Sequence, residues 1–303
     1  MTVAYVLDRW VELSQTFVVE EVRELRAQDV DVVVIALHHG SSDPLPDVPA
    51  LFLRDVPSGR AHAREHLRWA RRSPQRYAAF LAAVRRHPTE SAEMAWRRLP
   101  WVASRLEAQG VDRLHAHFAW AGAATAEALS ALTGWPWALT VHARDIYAPR
   151  PGLPAKLDRC AALITVCDYN IRVLRERHSV QRDIELVVCG VTVPEPFQCP
   201  TAEHDVVAVG RLVEKKGFDT LIEAFATVRR GHPDATLAII GEGPERPQLE
   251  ALIETSGLHD SVQLLGARSH ADVLHLVACS RALCLPARIA ADGDADSMPL
   301  VVK

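Results

Sequence analysis

Two long cationic side chains, Arg211 and Lys216, stand five residues apart and are flanked by Gly210 and Gly217. The run follows an apolar segment typical of a β-strand and precedes the pattern of an amphipathic helix. The first N–H groups of a helix lack partners within the helix and carry positive partial charge, so such a junction can bind an anion. A guanidinium and an ammonium together suit a diphosphate. A plain basic loop before a helix is the alternative interpretation.

A second strand-like segment, residues 235–240, leads into Gly241, Gly243 and Pro244. Glycines at such a turn let the backbone approach a ligand closely, and proline suits the first turn of the helix that follows. Arg246 stands where the dinucleotide fingerprint G-x-G-x-x-G requires its third glycine, so an NAD site is not predicted. Alone, this segment predicts a tight strand–helix turn more readily than a ligand site.

A third strand-like segment, residues 282–286, precedes an acidic loop that ends D-S-M-P-L-V-V-K at Lys303. In this order, G-R-L-V-x-K-K-G-F, I-I-G-E-G-P and the acidic loop resemble glycosyltransferase family 4, the retaining, nucleotide-sugar-dependent transferases of GT-B fold. Asp296 matches the first acid of the family pattern, which is usually Glu. Seven further residues and then Glu-Ala complete that pattern, so its second acid would follow Lys303. From the resemblance we expect a C-terminally truncated chain with an incomplete second domain.

The amino-terminal half resembles the subgroup that builds exopolysaccharides such as colanic acid. The residues that carry this likeness are 8–22, 115–118, 140–147 and 188–191. Cys167-Asp168 and Thr192 depart from the commoner family residues. Residues 45–105 carry no resemblance.

The family's roles can be carried over to matching positions. The resemblance implies that Arg211 and Lys216 hold the donor diphosphate and stabilise the leaving group, and that His142 contacts the donor sugar. It implies further donor contacts from Gly241, Gly243, Asp296, Ser297, Met298, Pro299 and Leu300. Acceptor-side candidates are Ser14, Gln15, His117 and Asp145. In this family the departing phosphate is thought to take the proton of the acceptor, so no protein base is expected.

Strand-like and helix-like segments alternate throughout, which predicts parallel sheets covered on both faces. The predicted fold is α/β, of GT-B type, with two Rossmann-like domains facing across a cleft. The domains span residues 1–195 and 201–303, with Pro194, Pro196 and Pro200 in a linker. Arg211, Gly241 and Asp296 all follow strands, and ligands of such sheets bind at the carboxyl ends of strands.

Residues 60–105 form a basic helical insertion with eleven arginines and three glutamates, a net charge of +8. Arg64, Arg68 and Arg72 recur at helical spacing among tryptophans. Such a segment could lie on an anionic membrane surface, where a lipid-linked acceptor would be met. The favoured interpretation is a solvated helix face with its tryptophans packed inward.

The composition, with 49% hydrophobic and 24% charged residues, predicts a soluble cytoplasmic protein, and a peripheral position at the inner membrane face stays open. No apolar run reaches the length of a spanning helix, and no signal peptide opens the sequence. The six cysteines form no C-x-x-C pair and are interpreted as small buried side chains in a reducing compartment. The acidic balance (net charge −4) and the lack of a recognition motif argue against nucleic-acid binding.

Two motifs invite a metal interpretation. His115 and His117 share one face of a strand, but no further ligand is evident from the sequence. Asp292, Asp294 and Asp296 open like a calcium loop, yet Ser297 and Lys303 occupy positions that require Gly and Glu. No metal and no cofactor are therefore predicted.

Taken together, the residues and the resemblance predict a retaining hexosyltransferase that moves sugar from a nucleotide-diphosphate sugar to a glycan or lipid-linked acceptor in polysaccharide synthesis. Two alternatives stay open at this point. One is a catalytically weak, truncated remnant that binds nucleotide sugar or acceptor. The other is a sugar-nucleotide epimerase on the same scaffold.

Overall fold

The computed structural model describes residues 1–12, 15–43, 45–56, 59–192, 199 and 201–303. These residues divide into two units, Met1–Val191 and Thr192–Lys303, each built on its own parallel sheet. The α/β architecture predicted from alternating strands and helices is confirmed. The prolines of the predicted linker lie outside the described residues, so that assignment stays a prediction.

The first unit contains a seven-stranded parallel sheet in the order β3-β2-β1-β4-β5-β6-β7. Its central strands carry runs of fully buried apolar residues, such as 32–37 in β2, because helices cover both faces of the sheet. The strands are β1 (Thr2–Trp10), β2 (Asp31–His39), β3 (Ala50–Phe52), β4 (Val111–His117), β5 (Trp137–Val141), β6 (Ala162–Thr165) and β7 (Glu185–Leu186).

One helix of the first unit, α5 (Ala121–Thr133), is buried on nearly every side. Its alanine-rich sequence lets neighbouring elements approach closely all round, so 11 of its residues are buried. The helices are α1 (Thr16–Ala27), α2 (Arg60–Arg72), α3 (Pro74–Arg86), α4 (Leu99–Ala108), α5 (Ala121–Thr133), α6 (Ala143–Tyr147), α7 (Leu153–Arg159) and α8 (Asp168–His178), with a 3-10 turn at Trp96–Arg98.

The basic segment 60–105 forms α2, α3 and most of α4, so its helical character is confirmed. Trp69 is buried and donates from Nε1 to the carbonyl of Pro100 and to Ser104 Oγ, both at 3.0 Å. Arg72 makes a two-pronged ion pair with Glu107, at 2.6 and 2.7 Å. These contacts agree with the packed-helix interpretation. Membrane contact through this segment stays a prediction.

The second unit contains, in the part of the chain described, a four-stranded parallel sheet in the order β10-β9-β8-β11. Phe218, Leu221, Ile222 and Phe225 recur at helical spacing and pack α9 onto this sheet. Its strands are β8 (His204–Val209), β9 (Leu237–Ile240), β10 (Val262–Gly266) and β11 (Ser280–Leu283). Its helices are α9 (Phe218–Gly231), α10 (Arg246–Thr255) and α11 (His270–Ala278), with 3-10 turns at Glu214–Lys216 and Leu300–Val302.

The cysteines depart from the interpretation as small buried side chains in one respect. Cys199 and Cys279 form a disulfide across a sequence separation of 80 residues. The sequence analysis missed this pair because no short spacing connects the two cysteines. Cys160 and Cys167 are buried and free, as that interpretation predicted, and Cys189 and Cys284 are half-buried.

None of the helices among the described residues has both the length and the apolar sequence that crossing a bilayer requires.

Candidate functional site

Two lysines and two aspartates form an ion-pair cluster beside the carboxyl ends of the strands in the second unit. Lys216 Nζ lies 2.5 Å from Asp296 Oδ2, and Lys215 Nζ lies 3.1 Å from Asp296 Oδ1. Lys215 also contacts Asp294 Oδ1 at 3.2 Å. Lys216 and Asp296, which the resemblance assigned to one donor site, are therefore adjacent. Lys215 is an addition that sequence reasoning did not single out, and Asp294 was considered there only as part of a calcium-like loop.

The positive and negative charges of this cluster balance one another within the second unit. Burial raises the pKa of Asp296, but the ammonium groups of Lys216 and Lys215 outweigh burial and hold that pKa below its usual value. The two ammonium and two carboxylate charges cancel. Arg211, by contrast, is exposed, and no ion pair joins it to another of the described residues. The guanidinium is thus the cation of this loop that is available to an incoming anion.

The glycines at this edge are needed for packing between the loops. A Cβ atom on Gly241, whose φ is +144°, would lie 1.9 Å from the carbonyl oxygen of Gly210. A Cβ on Gly243 would lie 2.3 Å from the carbonyl oxygen of Leu212. The loop after β9 is bonded to the loop after β8, with Leu212 N donating to Glu242 O at 2.9 Å. Close approach of backbone to backbone therefore explains both glycines, while their contact with a donor stays a prediction.

The start of α9 is less open to an anion than the sequence suggested. A 3-10 turn, Glu214–Lys216, separates β8 from α9. Asp219 Oδ1 accepts from Thr220 N at 2.8 Å, and Asp219 Oδ2 pairs with Arg288 at 2.9 Å. The helix thus carries a carboxylate of its own in its first turn. The helix terminus is therefore less available to an anion than the side-chain cations of this junction are.

The remaining predicted donor residues follow Asp296 directly. Residues 297–300 are half-buried, and Leu300 begins a 3-10 turn. They adjoin the cluster in sequence through Asp296, and their contact with a donor stays a prediction.

A second group of ionisable side chains lies at the carboxyl ends of strands in the first unit. His115 and His117, on β4, stack at a ring-centroid distance of 4.8 Å, and His142 follows β5. His117 Nδ1 lies 3.2 Å from His142 Nε2, and His117 Nε2 lies 3.3 Å from Glu21 Oε1. Tyr5 donates its hydroxyl to the same Glu21 oxygen at 2.5 Å. The fold thus brings together side chains from β1, α1, β4 and the residue that follows β5.

Burial dominates the protonation of this histidine group. Burial, and then the charge of His117, lower the pKa of His115 to about 3 and hold the pKa of His142 well below its ordinary value. Burial would raise the pKa of Glu21, yet bonding to His117 holds it at about 2. An ionised Glu21 only accepts, so Nε2–H of His117 donates to it. In a neutral His117, Nδ1 then accepts from Nε2–H of His142.

Glu21, His115 and His117 also present ligand atoms within 4.8 Å of one another. Sequence reasoning missed Glu21 because it lies on α1, far from the histidines in sequence. Its position on the inward side of an amphipathic helix was the available signal. The carboxylate accepts from Tyr5 and His117, and His115 Nε2 bonds Thr140 Oγ1 at 2.8 Å. These hydrogen bonds satisfy the group as a polar network.

His142 and Asp145 begin the short helix α6. Asp145 Oδ2 accepts from the backbone N–H of His142 at 2.8 Å. The His142 ring packs against Phe17 and Phe118, at centroid distances of 4.8 and 4.5 Å. Burial raises the pKa of Asp145 to about 7. This predicted acceptor-side residue is therefore a buried acid that titrates near neutrality.

A further buried acid lies in the same unit. Asp8 follows the apolar run of β1, and its Oδ2 accepts from Gly122 N, in the first turn of α5, at 3.3 Å. Burial raises the pKa of Asp8 to about 6. The strand β1 thus contributes an acid that the sequence analysis quoted only as part of a motif.

The other acceptor-side candidates lie at the start of α1. Gln15 is half-buried, occupies the N-cap position without a side-chain capping bond, and donates its backbone N–H to Glu12 O at 2.8 Å. Phe17, two residues on, contacts His142. The predicted residue Ser14 lies outside the described residues.

Comparison with known proteins identifies the family. The family described as Glycosyltransferase Family 4 matches residues 14–193, and that described as Glycosyl transferases group 1 matches residues 192–302. The chain belongs to glycosyltransferase family 4. The predicted family and the GT-B fold class are thereby confirmed.

One relative aligns along the whole chain. The putative colanic acid biosynthesis glycosyltransferase WcaL of Escherichia coli (strain K12) is 25% identical over 325 residues, covering 100% of this chain and 79% of the relative. Two further relatives match over 87 and 83 residues only, which is 17% and 22% of their own length.

Solved structures support the fold. WaaG, a glycosyltransferase of lipopolysaccharide biosynthesis, matches with a TM-score of 0.57 and 17% identity, over 94% of this chain and 75% of WaaG. An alpha-glucosyltransferase in complex with UDP-glucose and DNA containing an abasic site matches with a TM-score of 0.55 and 10% identity, over 92% of this chain and 71% of that one. At these identities the likeness concerns the fold.

Proposed function

We propose that this protein transfers a hexosyl group, with retention of configuration, from a nucleotide-diphosphate sugar to a glycan or lipid-linked acceptor in polysaccharide synthesis. The observation that carries the proposal is the lysine–aspartate cluster beside exposed Arg211, at the carboxyl ends of β8 and β9. Membership of the family, the full-length likeness to WcaL and a structural relative with UDP-glucose support it.

The cationic side chains of the second unit bind the donor diphosphate in this proposal. Arg211 offers a planar fork of donors, and Lys216 offers a point charge that Asp296 holds in place. Both stabilise the negative charge that grows on the leaving diphosphate, usually the largest catalytic contribution. Asp296 accepts from sugar hydroxyls with the lone pairs that Lys216 and Lys215 leave available on its two oxygens. Charge neutralisation by these side chains supports a reaction without a divalent cation.

The histidine group of the first unit recognises sugar hydroxyls in this proposal. His142 stays uncharged across the physiological range because burial lowers its pKa, so it offers a neutral hydrogen-bonding ring. Glu21 and His117 fix the orientation of that ring. During transfer, the bond from the anomeric carbon to the phosphate oxygen breaks and a bond to the acceptor oxygen forms. The acceptor proton passes to the departing phosphate.

Calorimetric titration with UDP and GDP tests the donor site. Arg211→Ala and Lys216→Ala should each weaken binding about tenfold to a hundredfold, the range expected for loss of a charge-assisted hydrogen bond. Arg230→Ala, an exposed arginine on α9, is the matched control and should bind like the wild type. Unchanged affinity in both Arg211→Ala and Lys216→Ala would remove these residues from the donor site.

A further inference from the structure

Four side chains with metal-binding atoms meet at the amino ends of strands in the second unit. The lysine–aspartate cluster lies at the opposite, carboxyl ends of the strands. Glu203 directly precedes β8 and Cys279 directly precedes β11, and these strands pair in parallel, with Ser280 opposite His204. Both residues therefore lie at the amino ends of neighbouring strands. Cys199 and His275 complete the group, which we call the Cys-Glu-His-Cys cluster: Cys199, Glu203, His275 and Cys279.

The distances within the cluster are those of a ligand set. The ligand atoms of Cys199, Glu203 and Cys279 lie within 4.8 Å of one another. His275 Nε2 lies 2.9 Å from Glu203 Oε1 and 3.8 Å from Cys279 Sγ. A tetrahedral zinc ion, with Zn–S near 2.3 Å and Zn–N near 2.0 Å, separates sulfur and nitrogen by about 3.5 Å. The observed arrangement needs only small movements to surround such an ion.

The sequence spacing supports the same interpretation. Cys199 and Glu203 are separated by three residues, and so are His275 and Cys279. On α11 the second spacing places both side chains on one face, and Cys279 N donates to His275 O at 2.8 Å. Paired ligands at two short spacings, brought together by the fold, are typical of structural zinc sites.

We propose that Cys199, Glu203, His275 and Cys279, in the dithiol form of the protein, bind one Zn²⁺ ion. Reduction of the Cys199–Cys279 disulfide by a dithiol or phosphine gives two thiols. Zn²⁺ then displaces one proton from each thiol and is bound by two thiolates, an imidazole and a carboxylate. The ion holds the segment before β8 against the end of α11, as the disulfide does when the pair is oxidised.

This site is separate from the proposed donor site and does not depend on the proposed transfer reaction. Glu203 and His275 have side chains that are 44% and 47% exposed, so an ion can reach them from solvent. Cys279 is 1% exposed and supplies a buried thiolate at the floor of the site.

Cobalt absorption spectroscopy on the full chain tests the proposal. The protein is reduced with a phosphine, separated from the reductant without air, and titrated with Co²⁺, whose thiolate complexes absorb strongly in the near ultraviolet. We expect saturation at one Co²⁺ per chain and complete displacement by one equivalent of Zn²⁺. The oxidised protein should give no such absorption, because a disulfide offers no thiolate.

Single substitutions locate the ligands. Cys199→Ser, at a half-buried position, should lower the thiolate absorption because one of the two thiolates is removed, and His275→Ala should weaken binding of both metals. Cys284→Ser, a half-buried cysteine of the same unit outside the cluster, is the matched control and should bind as the wild type does. Absence of thiolate absorption in the reduced wild type would overturn the proposal. So would an undiminished absorption in Cys199→Ser, or its loss in Cys284→Ser.

Discussion

The buried acid Asp145 makes the first unit lose stability as the pH rises. Burial raises the pKa of Asp145 from its ordinary 3.8 to about 7. Between these values the folded protein holds a proton that the unfolded chain has released. Stability therefore falls as the pH rises from about 4 to about 7 and stays lower above that range. The shift of roughly three units, at about 1.36 kcal/mol per unit, amounts to about 4 kcal/mol.

Asp145→Asn should remove this dependence. The amide oxygen can still accept the backbone N–H of His142, so the start of α6 is kept. We expect the variant to be more stable than the wild type at pH 8, by at most about 4 kcal/mol. Near pH 4 the two proteins should be almost equally stable. The pH dependence that remains in the variant comes in part from Asp8, whose pKa burial raises to about 6.

Tryptophan fluorescence during urea unfolding measures this effect selectively. All seven tryptophans lie between Trp10 and Trp137, and so within the first unit. Asp112→Asn, an exposed acid of the same unit, is the matched control and should leave the pH profile unchanged. A stability difference between wild type and Asp145→Asn that is the same at pH 5 and pH 8 would refute the reasoning.

Three further predictions follow from the two sites. Gly241→Ala should destabilise the second unit far more than Gly257→Ala in thermal unfolding. Both positions have positive φ, but only a Cβ at Gly241 would meet a backbone oxygen, at 1.9 Å. Equal losses of stability in the two variants would contradict the packing argument. Asp296→Asn should bind UDP more tightly, since Lys216 loses its anionic partner, but should transfer sugar more slowly. The affinity measured by calorimetry must therefore rise while the turnover rate falls. Glu21→Gln should cost about 1.5–3 kcal/mol in urea unfolding, because His117 and Tyr5 lose a charged acceptor, and an unchanged midpoint would refute that estimate.

Most strands of both sheets could be predicted from the sequence because parallel strands are buried on both faces and appear as continuous apolar runs. The run at residues 31–37 became β2, Asp31–His39, and the run at residues 235–240 became β9, Leu237–Ile240. The edge strand β3, Ala50–Phe52, was not predicted. It has three half-buried residues, too few to establish a period.

The candidate sites could be predicted only in part, because local sequence does not say which of two similar neighbours turns inward. Lys215 and Lys216 are adjacent and chemically identical, yet the 3-10 turn buries Lys215 between two aspartates and leaves Lys216 with one. Glu21 and the Cys199–Cys279 pair were missed for a related reason. Glu21 lies 96 residues from His117, and Cys199 lies 80 residues from Cys279, so only the folded chain brings each pair together.

The charge balance of the lysine–aspartate cluster bears on how a donor would be selected. Before any ligand binds, Lys216 already has an anionic partner in Asp296, so an isolated phosphate must compete with a carboxylate held 2.5 Å away. In the proposed function a nucleotide-diphosphate sugar avoids that competition, since its hydroxyl groups would donate to Asp296 while its phosphate oxygens approach Lys216 and Arg211. The buried pair thus favours a ligand that carries both an anion and hydroxyl groups over either alone. On this reasoning Asp296 contributes as much to the choice of donor as the cations do.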